Sequence, residues 1–100
     1  MLYGIAMDAA MGVIRNAFDP FVCVVELYDH HRRLRFHIFE FDGTPLLSVP
    51  MILASDAIEP ERLRGEILAA RSRLQRRGFS LQAWVPPRKL GKELQESQDL

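Results

Sequence analysis

The sequence predicts an α+β fold: a three-stranded antiparallel meander followed by a long helix and a fourth strand, after a short N-terminal helix. Residues 21–53 contain three segments rich in β-branched and aromatic side chains, separated by polar breaks. Residues 60–77 show the apolar periodicity of a helix, and residues 79–85 alternate between apolar and polar side chains. We expect the long helix to pack across one face of the sheet.

The N-terminal helix is predicted from one apolar stripe. Four residues recur at the spacing of a single helix face: Met7, Met11, Ile14 and Phe18. They predict an amphipathic helix over residues 6–17. Asp19-Pro20 ends it, because the residue before a proline is disfavoured in helical conformation.

The meander begins with a hairpin formed by residues 21–28 and 33–41. The polar residues 29–32 separate its two strands. Asp42-Gly43 follows the second strand and predicts a type I′ turn, in which both central residues have positive φ.

The third strand is predicted over residues 44–53, with Val49, Met51 and Leu53 on one face and Val49 and Met51 in the core. Pro50 interrupts this segment and has no amide hydrogen to donate. The strand should therefore lie at a sheet edge or contain a bulge at Pro50.

The long helix has start and stop signals at both ends. Pro60 suits the first helical position, and Gly78 suits the left-handed C′ position of a Schellman cap. Between them lies one apolar stripe: Leu63, Ile67, Ala70 and Leu74. The last predicted strand, residues 79–85, is stopped by Pro86-Pro87.

The second face of the predicted sheet is unusually apolar. Alternation places five large apolar residues there: Val22, Val24, Phe39, Phe41 and Trp84. An antiparallel sheet face in water is normally polar, so either the N-terminal helix or a second copy of the chain should cover this one. Phe39, Phe41 and Trp84 are the predicted interaction surface.

Positive charge is concentrated late in a chain whose formal net charge is zero. Residues 62–92 carry nine basic residues and one acid. The helix arginines flank the apolar stripe, where they can extend over the core toward strand acids such as Glu26 or Glu40. Alternatively, they form an anion or nucleic-acid surface with the basic residues that follow. That surface would consist of Arg71, Arg73, Arg76, Arg77, Arg88 and Lys89.

The residues with reactive or metal-binding side chains form no recognisable site. Cys23 is the single cysteine, so no intrachain disulfide can form and a reducing compartment is expected. His30 and His31 are adjacent in a loop, and His37 lies on a strand, without the spacing of a zinc site. No glycine-rich phosphate loop is present. We therefore predict no catalytic residue, metal or cofactor.

The chain is expected to form one domain over residues 1–87, with a flexible polar tail over 88–100. It shows neither a signal-peptide pattern nor a membrane-spanning apolar stretch, so a cytoplasmic location is expected. Eleven of its 13 basic residues are arginine, which suggests a bacterial source with a GC-rich genome.

The unexplained features are surfaces, and they predict a non-enzymatic binding or assembly module for a protein partner or a second copy. The alternative is a nucleic-acid-binding protein that uses residues 60–77 and the basic tail. A small enzyme is the third possibility, because folding can assemble a site that is not apparent in the sequence.

Overall fold

The structure, a computed structural model, describes residues 2–86 and the side chains of residues 6–86. Its elements are, in chain order, α1 (Leu2–Asn16), β1 (Val22–Tyr28), β2 (Arg33–Phe39), β3 (Pro45–Leu53), α2 (Ala54–Ala57) and α3 (Pro60–Arg76). The predicted polar tail, residues 88–100, lies outside the described residues. No helix in the described part of the chain is long and apolar enough to cross a membrane.

The three strands form one antiparallel sheet in the order β1-β2-β3. The predicted meander is confirmed, and β2 is its central strand. β1 pairs with β2 in unbroken register, with Val25 opposite Phe36, whereas the β2–β3 pairing contains two register shifts.

The turn between β2 and β3 differs from the prediction. The N–H of Gly43 donates to the carbonyl oxygen of Glu40 at 2.9 Å, and Gly43 has a φ of 91° while Asp42 is not left-handed. The type I′ turn predicted at Asp42-Gly43 is therefore wrong. The loop is one residue longer and is closed by a single left-handed glycine, which is the next most common hairpin geometry.

The left-handed pair of residues occurs instead in the first hairpin. His30 and His31 have φ values of 54° and 65°, and the N–H of Arg32 donates to the carbonyl oxygen of Asp29 at 3.0 Å. Asp29 is left-handed as well, with a φ of 55°. Asp and His tolerate this conformation better than most side chains do.

Pro50 lies both on an edge strand and in a bulge, as its missing amide hydrogen predicted. Across from it, Arg35 of β2 faces two residues of β3, Pro50 and Met51. This extra residue reverses the alternation that follows, so Ile52 is buried while Met51 and Leu53 are exposed. The prediction that Val49 shares a face with Met51 and Leu53 is therefore wrong, as is the predicted core position of Met51.

The helices form close to their predicted positions. α1 begins four residues earlier than the predicted start at residue 6, and α3 ends one residue before the predicted end at 77. Gly78 has a φ of 95°, and the N–H groups of Gly78 and Phe79 donate to the carbonyls of Gln75 and Leu74. These two hydrogen bonds confirm the Schellman cap. The short α2 lies between the predicted third strand and the predicted long helix, where no helix was predicted.

The fourth strand is not present in the described structure. Residues 79–86 have no regular secondary structure, and the described sheet has three strands. Phe79, Leu81 and Trp84 are half-buried against the core, while Ala83 is exposed. The predicted alternation therefore does not describe this segment, because Trp84 packs on the same side as Phe79 and Leu81 while Val85 is exposed.

Both long helices pack on the same face of the sheet. Phe18, just after α1, lies with its ring centroid 5.4 Å from that of Phe36 on β2, and both side chains are fully buried. Ile67 and Leu74 of α3 belong to the same core. The alternative in which the N-terminal helix covers the second sheet face is wrong, because its apolar stripe is used in the common core.

Alanine substitutions at Gly65 in α3 and at Gly78 in its cap should change the free energy of unfolding in opposite directions. Gly78→Ala should lower the free energy of unfolding by about 1 to 2 kcal/mol, because alanine is strained at a φ of 95°. Gly65→Ala is the matched control: its new Cβ meets no atom within 4 Å, so it should stabilise the helix by about 0.5 to 1 kcal/mol. Urea unfolding of both variants measures these changes. Equal effects of the same sign would contradict the cap geometry.

Candidate interaction surface

The sheet face opposite the helices is not covered by any described element. We call it the open face. It carries the outward-facing residues of the three strands: Val22, Val24, Glu26, Tyr28, Arg33, Arg35, His37, Phe39, Ser48, Met51 and Leu53. Its centre is polar and its two ends are apolar.

A polar ladder crosses the centre of the open face. Arg35 Nε donates to Glu26 Oε1 at 2.8 Å, and the Arg35 guanidinium lies 4.8 Å from the centre of the Tyr28 ring. The Tyr28 hydroxyl donates to the carbonyl oxygen of Pro50 at 3.1 Å. The ladder therefore connects all three strands. Exposed pairs of this kind contribute only about 0.2 to 1 kcal/mol each, so their main effect is on register and not on stability.

His37 extends the ladder toward β3. Its Nδ1 lies 2.8 Å from Ser48 Oγ, and its Nε2 lies 3.7 Å from Glu26 Oε1. In some enzymes a serine acts as the nucleophile, a histidine as the general base, and a carboxylate as the group that orients the histidine. Here they project from adjacent strands of an open sheet surface. The sequence did not reveal this arrangement, because the register shifts of β3 prevent alternation from showing that Ser48 lies opposite His37.

The predicted aromatic surface is divided in the structure. Phe39 lies on the open face beside His37, with a ring-to-ring distance of 6.3 Å, and Phe41 is 84% exposed in the following turn. Trp84 lies elsewhere, half-buried in a shallow open cleft beside Leu63 and Ile67 of α3. Without a fourth strand, nothing brings Trp84 to the open face. The cleft encloses a volume of about 10 Å³, far below the roughly 300 to 1,000 Å³ of a typical ligand site.

β1 is an apolar strand that the fold leaves incompletely buried on both faces. Six of its seven residues are apolar or aromatic, with Glu26 the exception, yet none is buried. Val22 and Val24 are 41% and 42% exposed on the open face, and the core-facing residues are only half-buried. In β2, by contrast, every core-facing residue is fully buried.

No element of the described structure pairs with the outer edge of β1. Among the described residues, its main chain makes hydrogen bonds only within the sheet, and β2 is its one neighbouring strand. The opposite edge strand, β3, carries Pro45 and Pro50 and two register shifts, which protect an edge from further pairing. β1 has no proline, no lysine and no bulge. The two edges of the sheet therefore differ in their capacity to accept another strand.

Cys23 is poorly suited to nucleophilic chemistry. Burial raises the pKa of its thiol to about 12, and the nearby Arg15 guanidinium opposes this only in part. The thiol is therefore protonated at neutral pH, whereas the thiolate is the reactive form. Cys23 acts as a small apolar residue of β1.

Arg71, the first residue of the predicted anion surface, is part of the packing. It is 9% exposed, and its two terminal nitrogens donate to the carbonyl oxygens of Ala17 and Gln82 at 2.5 and 2.8 Å. Its guanidinium lies 5.9 Å from the centre of the Trp84 ring, and burial lowers its pKa. Arg71 thus joins α3 to the segment after α1 and to the irregular segment that carries Trp84.

The other basic residues have different environments. Arg77 donates to the carbonyl oxygen of Leu46 and lies over the Phe79 ring at 5.6 Å. Arg73 and Arg76 are exposed on α3. Arg88 and Lys89 lie outside the described residues.

The predicted match between helix arginines and strand acids does not occur at Glu26. Glu26 pairs with Arg35 on the open face, away from α3. The helix arginine that forms a described ion pair is Arg62, whose Nη1 lies 3.4 Å from Asp56 Oδ1 near the start of α3.

No three histidine, cysteine, aspartate or glutamate side chains in the described part of the chain lie close enough together to hold a metal ion.

Comparison with protein-family models, with curated proteins and with solved structures finds no match to the chain.

Replacing Arg71 tests its structural role. Arg71→Met should lower the free energy of unfolding by about 2 to 4 kcal/mol, because two carbonyls lose a charged donor. The emission of Trp84, the single tryptophan, should shift to the red as its segment loosens. Arg73→Met, at an exposed position of the same helix, is the control and should change stability by less than about 0.5 kcal/mol. Similar losses in both variants would contradict the role assigned to Arg71.

Proposed function

We propose that the protein is a small protein-binding module that accepts another polypeptide at the edge of β1 and on the adjoining open face. The observation that carries this proposal is the state of β1, which is apolar, incompletely buried on both faces and, among the described residues, has no pairing strand at its outer edge. The proposed function involves no catalytic step.

The energetics favour a strand as the occupant. Complete burial of a Val or Leu side chain contributes about 1.5 to 3 kcal/mol relative to full exposure, and β1 holds several that are only partly buried. An added strand would also pair with the outward-facing main-chain groups of β1. Strand addition of this kind derives affinity from the main chain and specificity from alternate side chains.

The polar ladder would help to select the partner. Glu26, Arg35 and His37 lie beside the apolar residues Val22 and Val24 on the same face. A partner that covers this region has to provide hydrogen bonds for the charged groups, because burying them without partners is costly. Partners without suitable polar groups would therefore be disfavoured.

Nucleic-acid binding is the weaker alternative. Within the described residues of α3 it depends on Arg64, Arg73 and Arg76, because Arg71 and Arg77 donate to main-chain carbonyls and Arg62 pairs with Asp56. Three phosphate contacts would give a logarithmic salt dependence with a slope of only about −3. The enzyme alternative depends on the contact between His37 and Ser48, for which a concave substrate site would be needed.

Site-specific photocrosslinking in cells of the source organism tests the proposed function. A photoreactive amino acid at Val24 should give one dominant covalent adduct with a polypeptide, identified by mass spectrometry. The matched control is the same amino acid at Ala69, which is exposed on α3 away from the sheet. Adducts of equal yield at both positions, or none at Val24, would contradict the proposal.

A further inference from the structure

We propose that the polypeptide accepted by β1 is a second copy of the chain, whose β1 pairs antiparallel with the first about a twofold axis at Val25. This inference rests on the proposed function and names the partner. A twofold axis perpendicular to the sheet would join two three-stranded sheets into one continuous sheet, with the helices of both copies on the same side.

The two faces of the strand restrict the possible registers. Directly opposite residues of antiparallel strands project to the same face. Core-facing residues of one copy must therefore oppose core-facing residues of the other, which requires the twofold axis to pass through a residue position. Near the middle of β1, the candidate positions are Val24, Val25 and Glu26.

Charge and strand length distinguish these three registers. An axis at Glu26 would place this carboxylate directly opposite its own copy, and like charges in that position are destabilising. An axis at Val24 would pair Tyr28 with Pro20, which lies outside the strand and has no N–H to donate. An axis at Val25 pairs all seven residues of β1 and places Glu26 opposite Val24.

The Val25 register also matches the side chains that the single chain leaves partly exposed. On the core side, Cys23 would oppose Leu27 of the second copy, and Val25 would oppose its own counterpart. On the open face, Val22 would oppose Tyr28. Each of these side chains is exposed or half-buried in the single chain and would gain an apolar neighbour.

The edges of the resulting sheet favour a second copy of the chain, and not an unrelated strand, as the partner of β1. Pairing through β1 would remove the unprotected edge of both copies at once. The two outer edges would then both be β3, with Pro45, Pro50 and the register shifts. Such a sheet is closed to further growth at both sides, as expected of a finite assembly.

Disulfide formation tests both the partner and the register. In a Cys23→Ser background, Val25→Cys should crosslink to its own copy, because directly opposite Cα atoms are about 4.5 to 5.5 Å apart. Val24→Cys in the same background is the control. Its copies would be about 7 to 8 Å apart across the diagonal, which is too far for a disulfide. Stronger crosslinking at position 24 than at position 25 would overturn the register.

Two charge variants of Val24 provide a second measurement that requires no crosslink. Val24→Glu would face Glu26 of the second copy and should weaken association about tenfold relative to Val24→Lys, which would face it with opposite charge. Light scattering over a concentration series measures the dissociation constants. Equal constants for the two variants would overturn the Val25 register.

The outcomes separate this inference from the proposed function. A wild-type chain that dimerises and a Val25→Cys variant that crosslinks support the second copy. A wild-type chain that stays monomeric at high concentration, while Val24 still photocrosslinks to a different protein, overturns the second copy and leaves the proposed function standing. A monomer without any adduct at Val24 overturns both.

Discussion

The contact between the rings of Phe18 and Phe36 determines on which side of the sheet the N-terminal helix lies. Both side chains are fully buried, and only residues 19–21 separate Phe18 from β1, so α1 has to fold back beneath the strand that follows it. α3 packs on the same side through Ile67 and its apolar stripe. The domain therefore has two layers, and its sheet has one covered face and one open face.

This one-sided packing leaves β1 in an unusual position. The core-facing side chains of β2 are fully buried, whereas those of β1, Val25 and its neighbours, remain half-buried. The polar ladder from Glu26 to Ser48 makes part of the open face compatible with water, but it does not cover Val22 and Val24. A second strand beside β1 would pair with its outward-facing main-chain groups and give its side chains on both faces a lateral neighbour, which is why edge pairing accounts for more of the structure than a partner on α3 does.

Features specified by local sequence were predictable, and features specified by long-range packing were not. The three strands and α3 followed from periodicity, and the cap at Gly78 followed from the conformational freedom of glycine. An alternating pattern does not distinguish a segment that pairs with a strand from one that lies against helices. Trp84 was therefore predicted on the second face of the sheet, whereas it lies beside α3. The contact of His37 with Ser48 depends on the two register shifts of the β2–β3 pairing. Pro50 indicated a single bulge, so the sequence did not show which residue of β3 would lie opposite His37. The role of Arg71 likewise depends on two carbonyls distant in sequence.

The central claim is that the outer edge of β1 is open in the single chain and closed by a partner strand. Amide hydrogen exchange of Val22–Tyr28, followed by NMR in dilute and in concentrated solution, tests it most directly. The outward-facing amides of β1 should exchange rapidly in dilute solution and become protected at high concentration, while those of β2 are protected in both. Protection of all β1 amides in dilute monomer would contradict the open edge, and rapid exchange at both concentrations would contradict its closure by a second copy.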